Sequence, residues 1–198
     1  MFIIGIRSLS YPDGRVYMGT CSEAPHGPGK MTYAYGKVYE GDFVYGVRSG
    51  RGKLTLPDGH VVEGEWKDDK LNGHGVLTMA NVNTYDGNWK DNYMHGHGKH
   101  IDSKGNMYEG CFKNDSKNGH GTYIWSTSGV DAGAVYVGYF VDGLRSGRGR
   151  MTWSDGRVYI GEWQKDKLNG QGVHISASGK VLNGQWKDNK YEYSCIIS

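Results

Sequence analysis

Apolar and polar residues alternate along this chain in short runs of period two, the spacing of a strand with one covered face. Tyr39, Gly41 and Phe43 fall on one side of such a run, and Glu40 and Asp42 on the other. A second run places Gly50, Gly52, Leu54 and Leu56 together, with Arg51, Lys53 and Thr55 opposite. Successive side chains of a strand point to opposite faces, so aromatic residues and glycines are predicted to share one face. The unit is two short strands joined by a glycine-bearing turn.

The unit repeats. One phrase, an apolar residue, any residue, Gly, any residue and then Trp or Phe, starts at Tyr39, Val62, Tyr85, Tyr108, Tyr136, Tyr159 and Leu182. A degenerate copy starts at Tyr17 and ends on Cys21. The spacing from copy to copy is 22 or 23 residues, with one step of 28. The longer step places five extra residues within 126–135, a surface loop by composition. A Gly-x-Gly phrase follows in register from Gly27/Gly29 to Gly170/Gly172. Turn glycines come next at Gly14, Gly36, Gly59, Gly105, Gly156 and Gly179, with Asn81-Val-Asn83 replacing one of them. Half copies flank the series at 8–16 and 182–188, followed by a cap or tail at 189–198. One array over residues 1–198 is predicted, with no linker.

Glycine weakens a strand, and is useful where another group must approach the backbone. The composition gives that idea weight, with 33 Gly, 15 Tyr and 6 Trp in 198 residues. Tyr and Trp rings are therefore predicted to lie across the Gly-x-Gly strand, burying apolar area without a second sheet. One copy cannot cover its own face, so neighbours must stack. The fold class is all-β: an elongated, single-layer antiparallel sheet of stacked β-hairpins.

The pattern Tyr-x-Gly-x-Trp followed by Asn-Gly-His-Gly, seen over about residues 8–188, resembles the MORN family (membrane occupation and recognition nexus). The resemblance implies a hairpin array used for scaffolding, dimerisation, binding of partner peptides along an aromatic groove, and linking cytoskeleton to membrane. It also implies phospholipid binding. Such repeats accompany phosphoinositide kinases and a lysine methyltransferase, whose catalytic domains this chain has no room for. Cys21, Pro28, Leu182 and the five-residue insertion depart from the pattern.

Candidate chemistry is weighed against that repeat. A net charge of +2 is too small to predict nucleic-acid binding. Three cysteines without metal-ligand spacing suggest a reducing compartment and no disulfide frame. No run approaches a membrane span, and the short apolar start 1–6 lacks the basic flank of a signal peptide. The middle residues of Gly-x-Gly, Arg51, His74, His97, His120, Arg148 and Gln171, are read as solvent-facing rather than as a metal strip. No phosphate loop, catalytic triad or acid/base pair stands outside the repeat, so no enzyme and no cofactor are predicted.

An aromatic row in a single layer cannot all be covered, and an exposed aromatic patch is a binding surface. Tyr39, Phe43, Trp66, Tyr85, Trp89 and Tyr108 are the first candidates for a partner groove. Phe112, Tyr136, Phe140, Tyr159 and Trp163 continue it. Trp186 belongs to the same row. The expected ligand is an extended or helical segment of another protein. Lys67, Lys90 and Lys113 could meet anionic phospholipid, at about 1 kcal/mol each. The ending Cys195-Ile-Ile-Ser198 has the form of a prenylation box, which makes Cys195 a candidate farnesyl anchor. The alternative for that ending is an edge strand. Apolar ends such as 2–6 favour a homodimer or an end-to-end assembly. The predicted location is cytoplasmic, on cytoskeleton or membrane.

Overall fold

In the computed structural model the described residues are 5–21, 23–79, 83–129 and 131–193. The terminal Cys195, the start of the apolar 2–6 segment, and Asn81 with Val82 lie outside them. Among the described residues the fold is all-β, with seventeen strands, one short 3-10 turn at Ala34–Gly36 and no α-helix.

Two compact units divide the chain, residues 1–96 and 97–198. The first holds β1 (Gly5–Ser10), β2 (Val16–Cys21), β3 (Pro25–Thr32), β4 (Val38–Val44), β5 (Val47–Thr55), β6 (Val61–Lys67), β7 (Lys70–Thr78) and β8 (Thr84–Lys90). The dividing point lies inside β9 (Tyr93–Ile101). The second unit holds β10 (Met107–Lys113), β11 (Ser116–Ile124), β12 (Val135–Val141), β13 (Leu144–Thr152) and β14 (Val158–Gln164). It continues with β15 (Lys167–Ile175), β16 (Val181–Lys187) and the short β17 (Lys190–Tyr191). From β1 to β8, and again from β10 to β17, each strand pairs antiparallel with the next.

The register follows the alternation. Gly41 opposes Gly52 and Tyr39 opposes Leu54, so aromatics and glycines do share a face. The rings lie on the glycines. A Cβ added to Gly52 would collide with the Tyr39 ring, and one added to Gly121, Gly149 or Gly172 would collide with Tyr108, Tyr136 or Tyr159. The first glycine of each Gly-x-Gly serves differently. Gly50, Gly119, Gly147 and Gly170 have φ of +70°, +102°, +66° and +97°, which a side chain resists.

The turns differ from the expectation. Strands within one copy are joined by two-residue turns with both residues at positive φ, such as Asp68-Asp69 and Asp142-Gly143. This geometry matches the twist of paired strands, and Asp, Asn and Gly tolerate it. The turn glycines, such as Gly59 at +85°, stand between copies instead.

Edge-to-face contacts link the rings. In the first unit Tyr17 meets Phe43 at 5.2 Å, Phe43 meets Tyr39 at 5.1 Å, and Tyr39 meets Trp66 at 5.4 Å. In the second unit the series Tyr108, Phe140, Tyr136, Trp163, Tyr159, Trp186 continues at 5.1–5.5 Å. Each such pair adds about 0.5–1.5 kcal/mol beyond area burial. The Trp66 and Trp89 indole N–H groups donate to the Gly52 and Gly75 carbonyls at 3.0 and 2.9 Å, tying each copy to the one before it.

The copy that starts at Val62 has no tyrosine, and there the nearest atom to a Cβ on Gly75 is Trp89 Cδ1 at 3.1 Å. Gly52→Ala is therefore expected to cost about 1–3 kcal/mol through overpacking, and Gly75→Ala distinctly less. Urea melts of the two variants measure the difference; equal losses would remove the ring-on-glycine explanation.

Candidate functional site

The aromatic row is the core. Tyr39, Tyr136 and Tyr159 are fully buried, and Trp89, the least covered ring of the row, is only 9% exposed. Phe43, Trp66, Tyr85, Tyr108, Phe112, Phe140, Trp163 and Trp186 are buried too. The expectation that part of this row stays uncovered is not met. Tyr39, Tyr108, Tyr136 and Tyr159 lie on glycine backbone, neighbouring rings meet them edge to face, and a further set of side chains closes over the row.

That further set stands five residues after each Trp or Phe and was not singled out from the sequence. It reads Arg48, Leu71, Met94, Lys117, Arg145, Leu168 and Tyr191. Arg48 lies 4.4 Å over the Trp66 ring, and Arg145 lies 4.4 Å over Trp163. Both are clamped by the turn of the following copy. The Arg48 guanidinium donates to Asp69 Oδ1 at 2.9 Å and to the Asp69 carbonyl at 2.6 Å. Arg145 repeats the arrangement on Asp166 at 2.9 and 3.2 Å. Where the column is Leu71 or Leu168, the turn residue is Asn92 or Asn189, which accepts the backbone N–H of that leucine at 2.8 Å. Lys117 is the exception. Its ammonium rests over Tyr123 at 4.4 Å and near Phe140 and Tyr108, with no carboxylate at ion-pair distance among the described residues. Burial pushes its pKa down.

Outside the core on the same face runs a second, half-buried row. In the second unit it comprises Tyr123, Trp125, Trp153 and His174. Tyr123 and Trp125 meet at 4.5 Å, and Arg145 lies 5.6 Å from the Trp125 ring. Trp153 stands between His174 at 6.2 Å and Arg157 at 5.0 Å. Burial raises the Tyr123 pKa and lowers that of His174. In the first unit the second row is Tyr33, Leu56 and Met79, with Lys37 4.1 Å over Tyr33. The signal for this row was present in the sequence. Tyr33, Leu56, Met79, Trp125 and Trp153 stand two positions beyond Met31, Leu54, Leu77, Tyr123 and Met151 in the same alternation, and Tyr123 and His174 hold the inner position of their own strands.

The opposite face is polar. Arg51, His74, His97, His120, Arg148 and Gln171 are exposed there. His74 lies 3.0 Å from Asp86, and Lys30 pairs with Glu40 at 2.7 Å. In the first unit an open groove of about 750 Å³ is lined by Glu40, Lys53, Glu63, Glu65 and Arg51, a mixture of signs. Among the described residues no group of three or more His, Cys, Asp or Glu is placed to hold a metal ion. Lys67, Lys90 and Lys113 are exposed at the ends of their strands, each followed by turn residues that include an aspartate. Among the described residues no helix is long and apolar enough to cross a membrane.

The MORN repeat pattern matches residues 24–37, 39–61, 63–81, 85–107, 108–130, 136–156 and 159–181. The chain belongs to the MORN-repeat family. A search of curated protein sequences returns no match. Solved structures of similar arrangement include the Drosophila melanogaster SAS-4 (dCPAP) TCP domain in complex with a proline-rich motif of Ana2. It has 11% identity and a TM-score of 0.40, with 92% of this chain and 85% of that one covered. The G-box domain of the microcephaly protein CPAP has 13% identity and a TM-score of 0.43, with coverage of 92% and 100%. The Danio rerio CPAP TCP10 domain has 14% identity and a TM-score of 0.39, with coverage of 90% and 94%.

Burial pushes the Tyr136 and Tyr159 hydroxyls up to about 12. The folded MORN array thus holds these protons more tightly than the unfolded chain, whose tyrosines titrate near about 10. The stability they contribute is complete below about pH 10 and is lost as pH climbs toward about 12. Phenolate absorbance from the buried tyrosines is expected to appear together with loss of the near-ultraviolet dichroism of the folded chain. Full tyrosine ionisation with that dichroism intact would contradict the buried ladder.

Proposed function

We propose that this protein is a non-enzymatic scaffold that holds a segment of a partner protein on its ring-bearing face. The surface offered is not the buried ladder but the second row above it. The observation that carries the reading is the half-buried set Tyr123, Trp125, Trp153 and His174, flanked by Arg145 and Arg157. Large, stiff aromatic side chains beside arginines are the composition of interface hot spots. The shape suits an extended or helical segment, whose apolar side chains would lie on the rings.

Family membership supports the scaffold reading, because repeat arrays present long surfaces built from neighbour-only contacts. Protein linkage to cytoskeleton or membrane would come from the partner rather than from this chain's own chemistry.

The test uses the full chain against a displayed peptide library. Peptides selected on the wild type are expected to lose at least tenfold in affinity with Trp125→Ala combined with Trp153→Ala. Glu109→Gln, on the polar face, should leave affinity unchanged. Circular dichroism shows whether the double variant stays folded. Selected peptides that bind the folded double variant as tightly as the wild type would place the binding surface elsewhere.

A further inference from the structure

In the second unit the column residues Arg145 and Leu168 are each held at two points by the turn of the next copy. The Asp166 backbone N–H donates to the Arg145 carbonyl at 3.0 Å. Its Oδ1 in turn accepts the Arg145 backbone N–H and the guanidinium Nε–H, both at 2.9 Å. Asn189 holds the Leu168 backbone in the same way, at 3.1 and 2.8 Å. At Lys117 only the first half of this clamp exists. The Gly143 N–H donates to the Lys117 carbonyl at 2.9 Å, and glycine brings no side chain to accept anything in return. The ammonium reaches along its own strand instead, to 4.4 Å from the Tyr123 ring centre. We propose that the carboxylate missing from this turn is supplied by the partner: an aspartate or glutamate of the bound segment pairs with the Lys117 ammonium beside Tyr123. This rests on the reading of the half-buried row as the binding surface, and adds to it the charge of the ligand.

The chain's own nearby carboxylates are engaged elsewhere. Asp102 and Asp166 are the acids whose charge acts on Lys117, and Arg145 and His100 are the neighbouring bases. Asp102 Oδ1 accepts the Lys104 and Asn106 backbone N–H groups at 2.9 Å, and its Oδ2 accepts the Asn106 amide at 2.8 Å. Asp166 is taken by Arg145 at 2.9 Å, and Arg157 holds Asp155 at 2.7 Å. Of Lys117, Arg145 and Arg157, the three cations beside the second row, Lys117 alone lacks a carboxylate at ion-pair distance among the described residues. Burial disfavours its charge, and a carboxylate laid against it would offset that loss. A pair covered in this way discriminates acidic segments from neutral ones.

The geometry also spaces the ligand. The Tyr123 ring, with the ammonium 4.4 Å from it, stands 4.5 Å from the Trp125 ring. Side chains two positions apart on an extended segment share a face and lie about 7 Å apart. An acidic residue over Lys117 and an apolar residue on Trp125 are therefore expected two positions apart in the bound segment.

The experiment uses the full chain and peptides selected on it from a displayed library. Selected peptides should carry Asp or Glu two positions from an apolar residue. Lys117→Met should weaken such a peptide about tenfold or more. The same peptide with its acid changed to the amide should feel Lys117→Met by less than about twofold. Gly143→Asp supplies the missing carboxylate within the chain. Asp69 and Asp166 hold the same turn position at φ of +63° and +68°, against +84° at Gly143, and a Cβ there meets nothing within 4 Å. That variant should also weaken the acidic peptide and spare the amide form. Near-ultraviolet dichroism shows that each variant is folded. Equal losses for the acidic and amide peptides in Lys117→Met would overturn the proposal, by making the lysine a packing residue only. Peptides that need Trp125 and Trp153 but carry no acid would also overturn it, and would leave the binding row standing. Acid-dependent peptides that ignore the Trp125→Ala, Trp153→Ala pair would instead overturn the row and uphold the lysine contact.

Discussion

A tyrosine ring lying flat across a glycine backbone is the contact on which the rest of this protein depends. A single sheet ordinarily needs a second layer to cover its apolar face. Here the cover comes from within the copy. Tyr39 folds over Gly52 and Gly41, and its hydroxyl donates to the Asp42 carbonyl at 3.4 Å. The ring could not approach so closely over any residue with a Cβ, so glycine is required by sterics and not by flexibility. The indole N–H of the next copy then takes the glycine carbonyl, so one contact serves both the hairpin and the stack. The Val62 copy shows the consequence of losing the ring. Leu71 Cδ1 lies within 3.1 Å of a Cβ placed on Gly64, filling the gap from the column instead.

That arrangement explains which parts of the fold were legible in the sequence. Period-two alternation and a repeat of about 23 residues give strand identity, register and the shared face of Tyr39, Gly41 and Gly52 directly. The two-residue turns were less visible, because Asp68-Asp69, Asn114-Asp115 and Lys165-Asp166 lack the glycine that marks such turns elsewhere. Their geometry is set by strand twist, which two aspartates adopt at some local cost. The fate of the aromatic row was misjudged for a related reason. Rings on a one-layer sheet are expected to remain bare when only layers are counted. Side chains from the adjoining strand change that outcome, and Arg48 and Arg145 come from there to close the row.

The arginine column also shows how identity and function separate in a repeat. Residues that recur from copy to copy are occupied with folding: the ring, the two glycines, the indole. Positions that vary are free to differ without breaking the array. At four positions of the column the column and turn residues change together, arginine held by aspartate and leucine by asparagine: Arg48 with Asp69, Leu71 with Asn92, Arg145 with Asp166, Leu168 with Asn189. Such coupling is a physical requirement. A buried guanidinium needs a carboxylate, whereas a leucine leaves only its backbone N–H to satisfy.

Lys117 departs from that rule and marks the second unit as chemically distinct. Asn118 reaches Asp142 at 3.4 Å, but the lysine itself is held by rings rather than by the aspartate of a turn. The turn there is Asp142-Gly143, whose second residue is a glycine with no side chain to offer. The ammonium is therefore left to the π faces of Tyr123, Phe140 and Tyr108, a weaker partner than a carboxylate once solvent is partly excluded. The same copy is followed by the five-residue insertion and bears Trp125, so the ring-held cation and the half-buried aromatics lie together. The departure from the repeat at Lys117 thus stands directly beside the half-buried Tyr123 and Trp125.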